Sequence, residues 1–201
     1  VAMMKCPTRE CKNDLIVKDI LHQIATGGGL RNESAVPLID PNNFNDGIIR
    51  FEQSTGGNDA KSNVQCLLDF KIDTYYHNKT TKDPYFIIGL PPFIKVKLTS
   101  YKLIAPPRLS DRTAQGGPKN WDFFGSNDWN EIRTGNPTKL HNASSDMKLH
   151  EPSSVGEYNV ELADDQYFRY FRFTSTGQNH QGSSEIFLSG FDISGNIIIC
   201  R

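Results

Sequence analysis

The chain has 201 residues, and its 22 Lys and Arg against 23 Asp and Glu leave a formal charge of −1. That length suits one domain whose core can fold without a metal or disulfide staple, and the charge balance supplies no field to gather nucleic acid. No apolar run approaches the roughly 20 residues of a membrane-spanning helix, while 12 Phe, 7 Tyr and 2 Trp among 16 Gly and 11 Pro point to short strands joined by turns.

Residues 12–25 read as an amphipathic helix with Ile16, Ile20 and Ile24 beside Val17 and Leu21, started by Asn13 or Asp14 and stopped by Gly27-Gly28-Gly29. A linker follows to Pro41, so residues 1–41 are expected to form a helical arm. From Phe44 the rhythm changes, and strands are expected over 47–52, 63–72, 85–90, 93–104, 120–125, 157–162, 167–175 and 185–194. In Ile94-Lys95-Val96-Lys97-Leu98-Thr99 apolar and polar residues alternate strictly, as in a strand that covers a core with one face. Tyr167-Phe168-Arg169-Tyr170-Phe171-Arg172-Phe173 is aromatic on both faces, which suits a central strand covered twice or one lining an interface. Strands without intervening helices predict an all-β fold, an antiparallel two-sheet sandwich over 42–195 preceded by one short helix, with a tail at 196–201.

The chemistry-bearing residues are dispersed. The even number of cysteines, Cys6, Cys11, Cys66 and Cys200, permits two disulfides, but the spacing lacks the density of a small secreted scaffold, and free thiols in a reducing compartment are expected. The first residues hold no apolar leader core, which supports a cytoplasmic location. Against it stand three N-x-Ser/Thr sequons, at Asn32, Asn78 and Asn142. His22, His77, His141, His150 and His180 form no ligand motif, and neither a Gly-x-Ser-x-Gly elbow nor a phosphate loop occurs, so no catalytic residue, metal or cofactor is expected. Trp121 is assigned to the core and Trp129 to a cap over the turn, with Asn127 and Asp128 closing that turn through their side chains. Arg169 and Arg172 fall on opposite faces of one strand and cannot form a single clamp.

Several segments, in order, resemble the discoidin domain, also called the coagulation factor V/VIII type C domain, of the galactose-binding-domain-like superfamily. They are Asn45-Asp46-Gly47-Ile48-Ile49; Phe86-Ile87-Ile88-Gly89-Leu90 followed by Ile94-Lys95-Val96-Lys97-Leu98; Trp121-Asp122-Phe123-Phe124-Gly125-Ser126-Asn127-Asp128; and Phe168-Arg169-Tyr170-Phe171-Arg172-Phe173 with Phe187-Leu188-Ser189-Gly190-Phe191. The resemblance implies a jelly-roll-like sandwich that binds rather than catalyses, and it is nearest to intracellular versions linked to BTB, kelch-type or ubiquitin-ligase proteins. Some extracellular relatives hold calcium near the position of Asp46, but one Asp with Asn42, Asn43 and Asn45 is a thin supply for an ion that takes six to eight oxygens. The chain also lacks the cysteine near Asn42 that would tie the domain ends, as secreted members usually do.

Binding on such a scaffold belongs to loops at one end of the sandwich. The polar candidates are Asn58, Asp59 and Lys61; Arg108, Asp111 and Arg112; and Gln178, Asn179, His180 and Gln181. The expected function is protein–protein interaction within a larger intracellular assembly, such as a cytoskeletal or ubiquitin-ligase scaffold. The alternative is a carbohydrate-binding, lectin-like module of a secreted or surface protein. Membrane insertion is disfavoured because the loops carry no apolar spikes.

Overall fold

The computed structural model describes residues 16–25, 49–54, 65–71, 74–79, 82–108 and 116–199. The described strands are β1 (Ile16–Val17), β2 (Arg50–Gln53), β3 (Tyr76–Asn78), β4 (Tyr85–Gly89), β5 (Ile94–Ile104), β6 (Trp121–Ser126), β7 (Thr138–Ala143), β8 (Val155–Asn159), β9 (Tyr170–Ser175), β10 (Ile186–Leu188) and β11 (Gly190–Ile199). The helices are α1 (Ile20–Ala25), α2 (Gln65–Leu68) and α3 (Trp129–Thr134). A four-stranded sheet, β1-β11-β5-β8, faces a five-stranded sheet, β2-β4-β9-β6-β7, and β10 pairs with β3 in a separate ribbon. Every pairing is antiparallel, as the sequence predicts.

The core between the sheets is aromatic. Phe171 and Phe173 enter it from β9, Phe86 from β4, Trp121 and Phe123 from β6, and Phe191 from β11, each almost wholly buried. Phe86 and Phe173 stack with centroids 5.2 Å apart, and Phe123 meets Phe191 edge-on at 5.8 Å. Burying each such ring contributes about 1.5–3 kcal/mol. The alternate residues of β9 face outward: Tyr170 packs with Ile87 and Ile132 under α3, so this strand is covered on both sides.

Alternation along β5 reverses at Thr99. Ile94, Val96 and Leu98 point into the core before it, Tyr101 and Leu103 after it. The register slips between Ser194 and Gly195 on the partner strand, leaving Thr99 as the extra residue of a bulge. Glycine is required at 195, because a Cβ there would lie 2.1 Å from the Lys97 carbonyl oxygen.

Three expectations are corrected. Within 12–25, Ile16 and Val17 form a strand rather than helix, pairing with Asn196 and Gly195. The edge of β11 offers ladder hydrogen bonds, and Asp19, at φ 52°, breaks the chain before α1. The run 63–72 contains a helical turn, α2, in which the adjacent Leu67 and Leu68 are both buried, a pattern a one-sided strand cannot give. The region 185–194 divides at Ser189, and β11 continues to Ile199, so residues 196–199 belong to the sheet rather than a tail.

A buried carboxylate attaches α1. Asp192 Oδ1 accepts the Leu21 and Ile193 N–H groups at 2.7 and 2.8 Å, and Oδ2 accepts that of His22 at 3.1 Å. Asp192 thus caps the helix start from a distant strand, in place of a local residue. Burial pushes its carboxyl up to about 7, against the pull of those N–H donors and with help from nearby Asp19.

A group whose pKa is raised on folding stabilises fully below its unfolded value and loses that contribution as pH rises through the folded value. Between pH 4 and 7 the Asp192→Asn variant should therefore gain stability relative to the parent, read as the difference in urea midpoints across that range. A difference independent of pH would contradict the raised value.

Candidate functional site

The ladders determine which strand ends lie together. In the five-stranded sheet, Trp121 at the start of β6 lies opposite Ser175 at the end of β9 and Ala143 at the end of β7. Tyr85 at the start of β4 lies opposite Thr174, and Phe86 opposite Gln53 at the end of β2. In the other sheet, Ile104 at the end of β5 lies opposite Val155 and Gly190. A bridge between Val96 and Phe168 joins the sheets at the far end, and Trp121 Nε1–H donates to Tyr101 Oη at 2.8 Å near this one. The chain therefore leaves β2, β5, β7 and β9 from the same end of the sandwich.

Those exits lead to all three loop groups expected from the sequence. Asn58, Asp59, Lys61, Asp111 and Arg112 lie outside the described residues. Arg108 is exposed four residues beyond β5. Its loop is tied to the one after β7: Ala105 N–H donates to Ser154 O at 2.9 Å and Ser153 N–H to Pro106 O at 3.0 Å.

Two asparagines hold the remaining loops. Asn120 donates from Nδ2 to Gln178 O at 3.0 Å and accepts Ser145 N–H on Oδ1 at 2.9 Å, bridging the loops after β9 and β7. Asn179 is buried, and its amide is committed to its own loop. Oδ1 accepts N–H from Gln181 at 2.9 Å and Ser183 at 3.1 Å, and Nδ2 donates to Glu185 O at 3.1 Å. It is a brace for this end of the sandwich, while Gln178 and Gln181 are exposed beside it.

His180 sits half-buried against Gly116, where a Cβ would come within 2.4 Å of the His180 Cβ. Its ring meets that of His150 edge-on, with centroids 5.0 Å apart, and its Nε2 is buried with no hydrogen-bond partner. Burial holds the imidazole below its ordinary pKa, and the nearby His150 and Lys119 act the same way against the Asp146 backbone and charge. Neutral at pH 7, it carries one ring N–H, which the Asp146 backbone engages, and leaves Nε2 as an acceptor. His150 is exposed, with Nδ1 2.9 Å from Glu151 Oε1. In the sequence these histidines are scattered, since neither they nor Asn120 carry a local motif; only the antiparallel register brings them together.

The other sequence assignments fall elsewhere. Trp121 is fully buried in the core. Trp129, half-buried at the opposite end of β6, carries the Arg50 guanidinium 3.5 Å over its ring. Asp128 Oδ1 caps α3 by accepting Glu131 N–H at 2.8 Å, whereas Asn127 Nδ2 donates to the distant Tyr167 O at 2.7 Å. Arg169 lies in the bend before β9, where it donates to Leu90 O and stands 4.8 Å over the Tyr170 ring, while Arg172 on β9 donates to Arg133 O at the end of α3; the two do not share one regular strand, and each is engaged separately. Among the described residues no three His, Cys, Asp or Glu side chains are grouped to hold a metal ion, and no helix is long and apolar enough to cross a membrane.

No protein-family model matches the chain, and no curated protein matches it. Solved structures do. One is the Clostridium perfringens module CpGH89CBM32-5 in complex with GalNAc-β-1,3-galactose, with TM-score 0.53 and 10% identity over 72% of this chain and 94% of that one. Another is CBM62 from Clostridium thermocellum Xyl5A, at 0.54 and 15% over 76% and 96%. A third is the fucolectin of striped bass (Morone saxatilis) serum, at 0.52 and 13% over 73% of this chain and 46% of that one. At these identities the likeness shows the fold, a galactose-binding-like β-sandwich. It shows no link to the intracellular BTB and kelch-type versions. The cytoplasmic location expected from the sequence is corrected: the matching structures named here are carbohydrate-binding modules and a serum lectin, not domains of intracellular scaffolds.

Replacing Asn179 with Ala leaves two N–H groups and a carbonyl unpaired, at a cost of about 1–3 kcal/mol. Hydrogen exchange should accelerate across 176–185 with little change in β5 and β11; unchanged exchange in that loop would contradict the bracing role.

Proposed function

We propose that the chain is a non-catalytic carbohydrate-binding module, acting outside the cell, whose ligand is held by the loops leaving β2, β5, β7 and β9. The observation that supports this most is their departure from one end of a rigid sandwich, on a fold shared with carbohydrate-binding modules and a lectin. It favours carbohydrate over the protein partner of an intracellular scaffold.

The side chains available suit sugar hydroxyls, which both donate and accept. Arg108 brings a fixed fork of donors, Gln178 an amide with both functions, and the neutral His180 an acceptor at Nε2. The unpartnered Nε2 of His180 gains a hydrogen bond if a hydroxyl reaches it, for which the exposed His150 ring would swing aside. Asn58, Asp59, Lys61, Asp111 and Arg112 belong to the same set of loops and are proposed to complete the surface. Catalysis is not proposed, since binding requires no activated nucleophile. No metal or other cofactor is invoked.

A glycan array probed in Ca²⁺ and in EDTA tests the reading. Binding above background is expected and should survive EDTA. Arg108→Ala and His180→Ala should each weaken it about ten-fold or more, equivalent to about 1.4 kcal/mol, with unfolding midpoints retained. An array without a binder, or binding untouched by both substitutions, would refute the proposal.

A further inference from the structure

Three N-x-Ser/Thr sequons stand in the sequence, and the structure describes the acceptor asparagine of two, Asn78 and Asn142. Their surroundings are opposite. Asn142 lies on β7, which pairs only with β6 among the described strands and so forms a sheet edge. Its side chain is exposed, as is that of Ser144, the hydroxyl residue of the triplet. Its Nδ2 makes one hydrogen bond, to Asp122 Oδ1 at 2.7 Å. A primary amide carries two hydrogens, so replacing one with a sugar leaves the other for Asp122.

Asn78 has no such spare hydrogen. It is 2% exposed on β3, and Nδ2 faces Ser54 Oγ at 3.0 Å, Tyr76 Oη at 3.2 Å and Tyr85 O at 3.2 Å. Ser54 Oγ in turn accepts Tyr85 N–H at 3.1 Å, and Tyr76 Oη donates to Gln53 Oε1 at 2.6 Å, so this amide ties β2, β3 and β4 together. A glycan on Nδ2 would need the space filled by those strands and would leave one hydrogen for three acceptors.

We propose that Asn142 is an N-glycosylation acceptor of the folded protein and that Asn78 is excluded from that role by its burial. The co-substrate is a lipid-linked oligosaccharide pyrophosphate. The Asn142 amide nitrogen bonds to the anomeric carbon as the bond from that carbon to the pyrophosphate oxygen breaks. The lipid pyrophosphate leaves, the nitrogen loses one proton, and nothing is oxidised or reduced. A chain modified at Asn78 while nascent cannot close β3 against β2 and β4, so the folded, secreted pool carries that residue bare. This inference rests on the extracellular setting of the proposed function, but not on its carbohydrate ligand.

The full chain behind a cleavable secretory leader, expressed in N-glycosylating eukaryotic cells, gives the test, with occupancy of each sequon read by mass spectrometry after enzymatic deglycosylation in heavy-oxygen water. Asn142 should be occupied in most secreted molecules and Asn78 in essentially none. Ser144→Ala should abolish occupancy at Asn142, while Thr80→Ala, which removes the other triplet, should leave the glycan mass of the secreted protein unchanged. An empty Asn142 in the secreted pool, or a glycan on Asn78 there, would overturn the proposal.

Discussion

A single buried indole N–H disciplines the sandwich. Trp121 begins β6 with no exposed surface, so its Nε1–H must find an acceptor inside the core, and the one it finds, Tyr101 Oη, belongs to the opposite sheet. That hydroxyl has its own hydrogen to place, and it lies 2.6 Å from Nδ1 of His141 on β7. Since tryptophan can only donate, the arrangement that satisfies every atom has Tyr101 donating to a neutral imidazole, consistent with the burial that holds His141 below its ordinary pKa. The hydrogen bond pins β6 and β5 near the ends from which the loops depart.

The same pin reaches the surface through aromatic contacts. Tyr158 stacks on Tyr101 at 5.1 Å, and its hydroxyl donates to Asp146 Oδ1 at 2.9 Å in the loop after β7. Asp146 N–H donates to Lys119 O at 3.0 Å, and the adjacent Asn120 holds the loop after β9. The loop bases thus inherit their positions from the packed core by a continuous chain of contacts. A rigid loop base presents its side chains at low entropic cost, which is what a ligand with many weak hydroxyl contacts requires.

Much of this fold was legible in local pattern. Alternation over Ile94–Thr99 and the two-faced aromatic run through Tyr170–Phe173 identified β5 and β9 because strand period and burial there act alone. The failures share a cause, the intervention of a distant partner. Ile16 and Val17 suit a helical stripe, yet the open edge of β11 recruits them, and Asp192 supplies a helix cap from the far end of the chain. The short strands β3 and β7, and the turn α3, depend on their neighbours for stability and carry faint signals of their own. For the candidate site, three loop groups can be read from the sequence, and antiparallel register brings the exits of β2, β5 and β9 to one end. Sequence could not separate Asn179, whose amide braces its loop, from exposed Gln178, because both are polar residues of one turn.

The central claim, that the loop end of this sandwich receives a sugar, is tested most directly by titrating the isotopically labelled chain with galactose and mapping amide shift changes by NMR. The account predicts saturable changes concentrated in 144–154 and 176–185 and around Arg108, with the opposite end, including Asn127–Gly135, unmoved. Saturable changes at that opposite end, or none at any soluble galactose concentration and none with N-acetylgalactosamine or fucose in its place, would contradict it.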